Sequence, residues 1–139
     1  ATMAGLHPKD PKDVFKGEIW FETLIKEGSG MWGSSLPKED PARAEKMTTL
    51  KELWPKMCKN FEKYITEDKK FIAGDTMTTH DYTVGIMLIN VFKNPTKEDQ
   101  DFWAELWKEA PERMTKYVDD IQGEIRGYLG SDKRQEKRF

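Results

Sequence analysis

Phe71-Ile72-Ala73-Gly74-Asp75-Thr76-Met77-Thr78-Thr79-His80-Asp81-Tyr82 is the stretch whose reading decides the fold. Thr78 and Asp81 stand three residues apart, the spacing of a capping box. Thr78 can accept from the Asp81 amide, and Asp81 from the Thr78 amide. Met77 and Tyr82 flank the box at the positions of a hydrophobic staple. Behind it, Val84, Ile86, Met87, Leu88, Ile89 and Val91 make a helix that is apolar nearly all round. Such a helix is buried on most sides, so it is expected at the centre of a helical bundle. Ahead of the box, Phe71-Ile72-Ala73 reads as an extended piece and Gly74 as a turn.

Upstream, Asp10-Pro11-Lys12-Asp13 is a helix start: Asp10 can cap, Pro11 suits the first helical position, and Asp13 can close a box. Val14, Phe15, Ile19, Phe21, Leu24 and Ile25 then recur at helical steps until Gly28-Ser29-Gly30. A long loop from Gly28 to Glu39 carries Met31 and Trp32, expected to anchor it to the body. Asp40-Pro41 repeats the start signal. Met47, Leu50, Trp54, Met57, Cys58, Phe61 and Ile65 follow on one face, with a kink expected at Pro55. Downstream, Thr96-Lys97-Glu98-Asp99 reads as a second capping box opening a helix with Phe102, Trp103, Leu106 and Trp107. Pro111 opens a last helix with Met114, Tyr117, Val118, Ile121, Ile125 and Leu129. The expectation is an all-α bundle of about five main helices, one domain over residues 1–139. Residues 131–139 form a charged tail.

Composition agrees. A chain of 139 residues is the size of one domain. Its 23 basic and 25 acidic residues leave a net charge of −2, which excludes a strongly basic nucleic-acid binder. Sixteen aromatics (five Trp, four Tyr, seven Phe) argue for a packed core rather than disorder. No apolar run approaches the roughly 18 residues of a membrane span, and no signal peptide is visible at the start. Cys58 stands alone, so no intrachain disulfide or multi-cysteine metal site can form. The cytoplasm or another reducing compartment is expected.

Chemical motifs are few, and each has a plainer rival. Gly28-Ser29-Gly30-Met31-Trp32-Gly33 has dinucleotide-loop spacing, but a helix precedes it where a strand is required. His80-Asp81 is one pair and cannot complete a metal site; the only other histidine is His7. Cys58 falls on the apolar face of the second helix and reads as a core thiol. The basic tail reads as a solvated end. No nucleophile, base and acid set follows from spacing, and no metal or cofactor is expected.

With these residues in view, Phe71 to Tyr82 resembles the signature of the glutathione transferase C-terminal domain. There an aromatic-aliphatic-small-Gly-Asp run leads into the capping box and staple of the central helix. Leu53-Trp54-Pro55-Lys56-Met57, with Phe61, Tyr64 and Ile65, resembles the mu and sigma classes. So do Ala110-Pro111-Glu112-Arg113-Met114 and Ile125-Arg126-Gly127-Tyr128-Leu129. Gly5-Leu6-His7-Pro8-Lys9-Asp10-Pro11 looks like the linker out of a thioredoxin-like domain, which places residues 1–9 as linker.

The resemblance implies that Glu18, one methylene longer than the usual Asp, reaches the amine of glutathione bound to another subunit. Phe21 and Ile25 match positions lining the electrophile pocket. Thr78 and Asp81 are implied as capping residues of the fold. No counterpart of the thioredoxin-like domain, which carries the thiol-activating group, is found in the chain. On this reading there are no catalytic residues here, and glutathione is a co-substrate only if that domain is present. The expected partners are a thioredoxin-like domain or another protein subunit, with glutathione and an apolar electrophile, in a dimer or a complex. Two other functions stay open: a non-catalytic binding or assembly module, and an accessory subunit of a larger complex. Trp20 and Phe21 are adjacent and point about 100° apart, so one of the two is expected to leave the core and meet a partner or ligand.

Overall fold

The computed structural model describes residues 5–28, 36–95 and 98–129. Its helices are α1 (Pro11–Glu27), α2 (Pro41–Tyr64), α3 (Thr79–Phe92), α4 (Gln100–Lys108), α5 (Glu112–Glu124) and the single turn α6 (Arg126–Leu129). The only extended pairing among the described residues is the Phe71–Gly74 bridge. Gly74 closes that turn at φ 129°, a conformation costly to any residue with a Cβ. The chain is the all-α helical bundle expected from its sequence.

The helix starts follow from the local chemistry. Asp10 accepts from the Lys12 amide at 2.8 Å and Asp40 from the Ala42 amide at 2.9 Å, each followed by a proline, which has no N–H that needs an acceptor. α2 continues through Pro55 as one helix of 24 residues. The start of α4 differs from expectation. The helix begins at Gln100, with Asp99 at its N-cap in the left-handed region, φ 57°. Thr96 and Lys97 lie outside the described residues, as do Met31, Trp32, most of the Gly28–Gly33 run and the charged tail.

α3 packs against α1, α4 and α5, and α2 packs against α1 and α5. This is the central position that its all-round apolar sequence requires. The interior is strongly aromatic: Trp20, Trp54, Trp103, Tyr117, Phe61 and Phe71 are all buried. Trp54 also donates from Nε1 to the Leu106 carbonyl at 2.7 Å, tying α2 to α4. Glycines allow close helix contacts. A Cβ on Gly85 would collide with Ile121 of α5, and one on Gly17 with the His80 ring.

The capping box is present in both directions, and it does more than cap. Asp81 is fully buried. Its Oδ2 accepts from the Thr78 amide at 2.8 Å and the Thr78 hydroxyl at 2.7 Å. Its Oδ1 accepts from the Ile72 amide and the Tyr117 hydroxyl, both at 3.0 Å. One carboxylate thus joins the 71–74 turn, the start of α3 and the middle of α5. A buried charge is tolerable only when satisfied in this way. The expected structural role of Thr78 and Asp81 fits this geometry. The linker side is tied in as well: the Thr79 amide donates to the Leu6 carbonyl at 2.9 Å.

Candidate functional site

The outer side of α1 is the surface on which the sequence placed ligand contacts. Gly17, Trp20 and Leu24 recur at three and four residues and are all buried, which sets the rotation of the helix. Trp20 stacks edge-on against Phe61, with ring centres 5.3 Å apart, and lies 5.8 Å from Tyr64. The core therefore takes Trp20. Phe21, about 100° further round, is half-buried at its edge. Among the described residues the large exposed apolar side chain is Phe15, 65% exposed. Of the pair from which one ring was expected to leave the core, Trp20 is the one that stays in it. The phase of the helix is set by Gly17, the only residue small enough to face the His80 ring.

Val14, Glu18, Phe21 and position 25 follow steps of four, three and four residues, so they form a second stripe beside the buried seam. The side chain of Ile25 lies outside the described residues. Glu18 and Phe21 thus share a face, the acid exposed and the ring half-buried. Glu18 does not stand alone. Its Oε1 lies 3.1 Å from His80 Nε2, on the first turn of α3. The histidine side chain is 9% exposed and that of Glu18 59%. The sequence reading missed this pair, because 62 residues separate its members. The only local hint was a polar ring at the second position of a helix that is apolar over most of its length.

The Cys58 thiol and the Tyr117 hydroxyl are turned inward. Burial, with Glu109 and Glu62 adding to it, pushes the Cys58 thiol up to about 12. Burial, then the charge of Asp81 and the hydrogen bond to it, pushes the Tyr117 hydroxyl well above its ordinary value. Neither can supply an ionised nucleophile or a lowered hydroxyl near neutral pH. No group of three or more metal-ligating side chains forms among the described residues. No helix among them is long and apolar enough to cross a membrane.

Sequence reasoning also passed over Arg43. Its guanidinium is buried, with Nη1 donating to the Leu36 carbonyl at 2.5 Å. Nη2 lies 2.6 Å from Asp99 and 3.1 Å from Glu98. It clamps the α3–α4 connection to the start of α2 at Asp99, the residue whose backbone is left-handed. A shallow cleft of about 200 Å³ lies near by, lined by Phe92, Asn94, Gln100 and Trp103 among others. It lies at the α3–α4 junction and contains none of the α1 residues.

The family model of the glutathione S-transferase C-terminal domain matches residues 27–132 of the chain. The match runs from the last residue of α1 through α6, so Glu18, Phe21 and Ile25 lie just ahead of it. No curated protein and no solved structure matches the chain.

Proposed function

Since the chain belongs to the glutathione S-transferase C-terminal domain family, we propose that it is the electrophile-pocket and subunit-interface half of a glutathione transferase-like protein. The observation that carries this reading is the second stripe of α1. There an exposed carboxylate and a half-buried ring share one face, with Phe15 exposed on the next. An apolar wall with one acid suits a conjugate that has an aromatic end and an ammonium end. Phe21 and Ile25 line the wall for the electrophile. Glu18 receives the amine of glutathione. Thr78 and Asp81 hold the frame and touch no substrate.

Conjugation needs a glutathione thiolate held beside the electrophile, which is a matter of thiol activation and of proximity. The inward-facing Cys58 and Tyr117 support the view that this chain does neither alone. A thioredoxin-like domain supplies glutathione binding and the activating group. The pair works as a dimer or within a larger complex, in the cytoplasm or another reducing compartment.

The test is steady-state conjugation of glutathione to 1-chloro-2,4-dinitrobenzene by this domain joined to a thioredoxin-like transferase domain. Phe21→Asp raises KM for the electrophile several-fold and leaves KM for glutathione near its starting value. An unchanged electrophile KM would remove Phe21 from the pocket wall.

A further inference from the structure

We propose that His80 is the positioning residue for Glu18: held as a single tautomer against Gly17, it fixes one carboxylate oxygen and leaves the rest of that carboxylate for a primary ammonium. The inference rests on the reading of the α1 face given above, and it adds a residue from another helix to that face.

Three observations converge on it. The first is the seat. A Cβ at position 17 would overlap the His80 Nδ1, Cγ and Cε1 atoms, so the ring lies flat against the bare backbone of α1. The second is the asymmetry of its nitrogens. Nδ1 is buried and has no hydrogen-bond partner among the described residues, whereas Nε2 faces Glu18 at 3.1 Å.

A neutral imidazole has one donor and one acceptor nitrogen. A proton on Nδ1 would leave a buried N–H without an acceptor and set the Nε2 lone pair against the carboxylate. A proton on Nε2 avoids both. The ring is therefore a fixed Nε2–H donor, and a bare Nδ1 lone pair is the less costly atom to leave dry. The third observation is the remaining capacity of the acid. A carboxylate offers about four acceptor sites, His80 takes one, and the Glu18 side chain stays 59% exposed. A flexible three-bond side chain is thus tethered at one oxygen and open at the other. That arrangement lowers the ordering cost of receiving a cation.

Two substitutions separate positioning from packing. His80→Gln keeps a donor at a reach close to Nε2, while His80→Leu keeps apolar volume and loses the donor. The probes are phenethylammonium, an aromatic primary amine, and its uncharged N-acetyl form. Each is titrated into the uniformly ¹⁵N-labelled chain and followed by the backbone amide resonances of α1, while the His80 ring nitrogens of the wild type report the tautomer.

In the wild type, with the ring neutral, the proton sits on Nε2, and the ammonium probe shifts the α1 amide signals while the N-acetyl form does not. His80→Leu weakens the ammonium probe about fivefold, a fraction of one charge-assisted hydrogen bond. His80→Gln stays within about twofold. Adding Glu18→Gln to His80→Leu costs nothing beyond Glu18→Gln alone, as coupled residues require. A proton on Nδ1, or equal losses in the Leu and Gln variants, overturns the positioning role and leaves the α1 face standing. No ammonium response in a wild type with the expected tautomer overturns the ligand face, and the positioning role with it.

Discussion

The Tyr117 hydroxyl donates to Asp81 Oδ1 at 3.0 Å, so the middle of α5 holds the same carboxylate that opens α3. The donors come from three separate segments, and they explain why the acid is tolerated in the core. Tyr117→Phe removes one of four donors and is expected to cost about 1.5–3 kcal/mol, the range for a bond to a charged group. Asp81→Ala strands two buried amides and is expected to cost more than either Tyr117→Phe or Thr78→Ala. Urea unfolding of the three variants checks the order. An Asp81→Ala protein as stable as Thr78→Ala would mean that the network is no more than a cap.

The contact between α3 and α5 rests on Gly85. Its position leaves no space for a Cβ beside Ile121. Gly85→Ala would ordinarily favour a helix by up to about 1 kcal/mol. Here overpacking is expected to reverse the sign, with a net loss of about 1–3 kcal/mol. Ile121→Val added to Gly85→Ala should recover part of that loss. A stabilised Gly85→Ala single variant would contradict the close approach.

Cys58 sets an alkaline limit on stability. Its thiol is pushed from 9.0 up to about 12 in the folded chain. Between these values the unfolded thiol releases its proton and the folded one keeps it. The unfolded state then binds fewer protons, so stability falls as pH rises through that window, at up to about 1.4 kcal/mol per pH unit. Below the lower value the thiol contributes no slope. Tyr117, raised for the same reason of burial, adds to the decline above its ordinary range. Denaturation midpoints of Cys58→Ala should fall less steeply than wild type between pH 9 and 10. Equal slopes would mean that the thiol is already ionised in the native state.

Two of the three aromatic rings of α1, Trp20 and Phe15, separate packing from exposure. Trp20 is 1% exposed and Phe15 65%. Trp20→Glu is expected to unfold the domain, because it places a charge among Phe61 and Tyr64. Phe15→Glu should leave the far-ultraviolet circular dichroism and the melting temperature close to wild type. A folded Trp20→Glu protein would reverse the assignment of the helix faces.

These particulars show where sequence reading succeeds. Capping chemistry is local, so Asp10-Pro11, Asp40-Pro41 and Thr78-Asp81 could be read within four residues of themselves. The centrality of α3 was legible because its apolar residues surround the whole helix. Arg43 was not legible, since its partner Asp99 is 56 residues away and nothing in α2 marks that arginine from its charged neighbours. The choice between Trp20 and Phe21 was equally hidden. Periodicity gives the spacing of a face, but the Gly17–His80 approach that sets its phase belongs to the tertiary structure. Glu18 and Phe21 were legible only as positions on a helix, and the histidine that holds Glu18 arrives from another element.

The most direct test of the account is the rate at which the purified chain conjugates glutathione to 1-chloro-2,4-dinitrobenzene. With Cys58 and Tyr117 both turned inward and raised, the chain by itself is expected to match the uncatalysed reaction at every protein concentration. A rate that rises with protein and saturates with glutathione would contradict the account, and would require a thiol-activating group within these 139 residues.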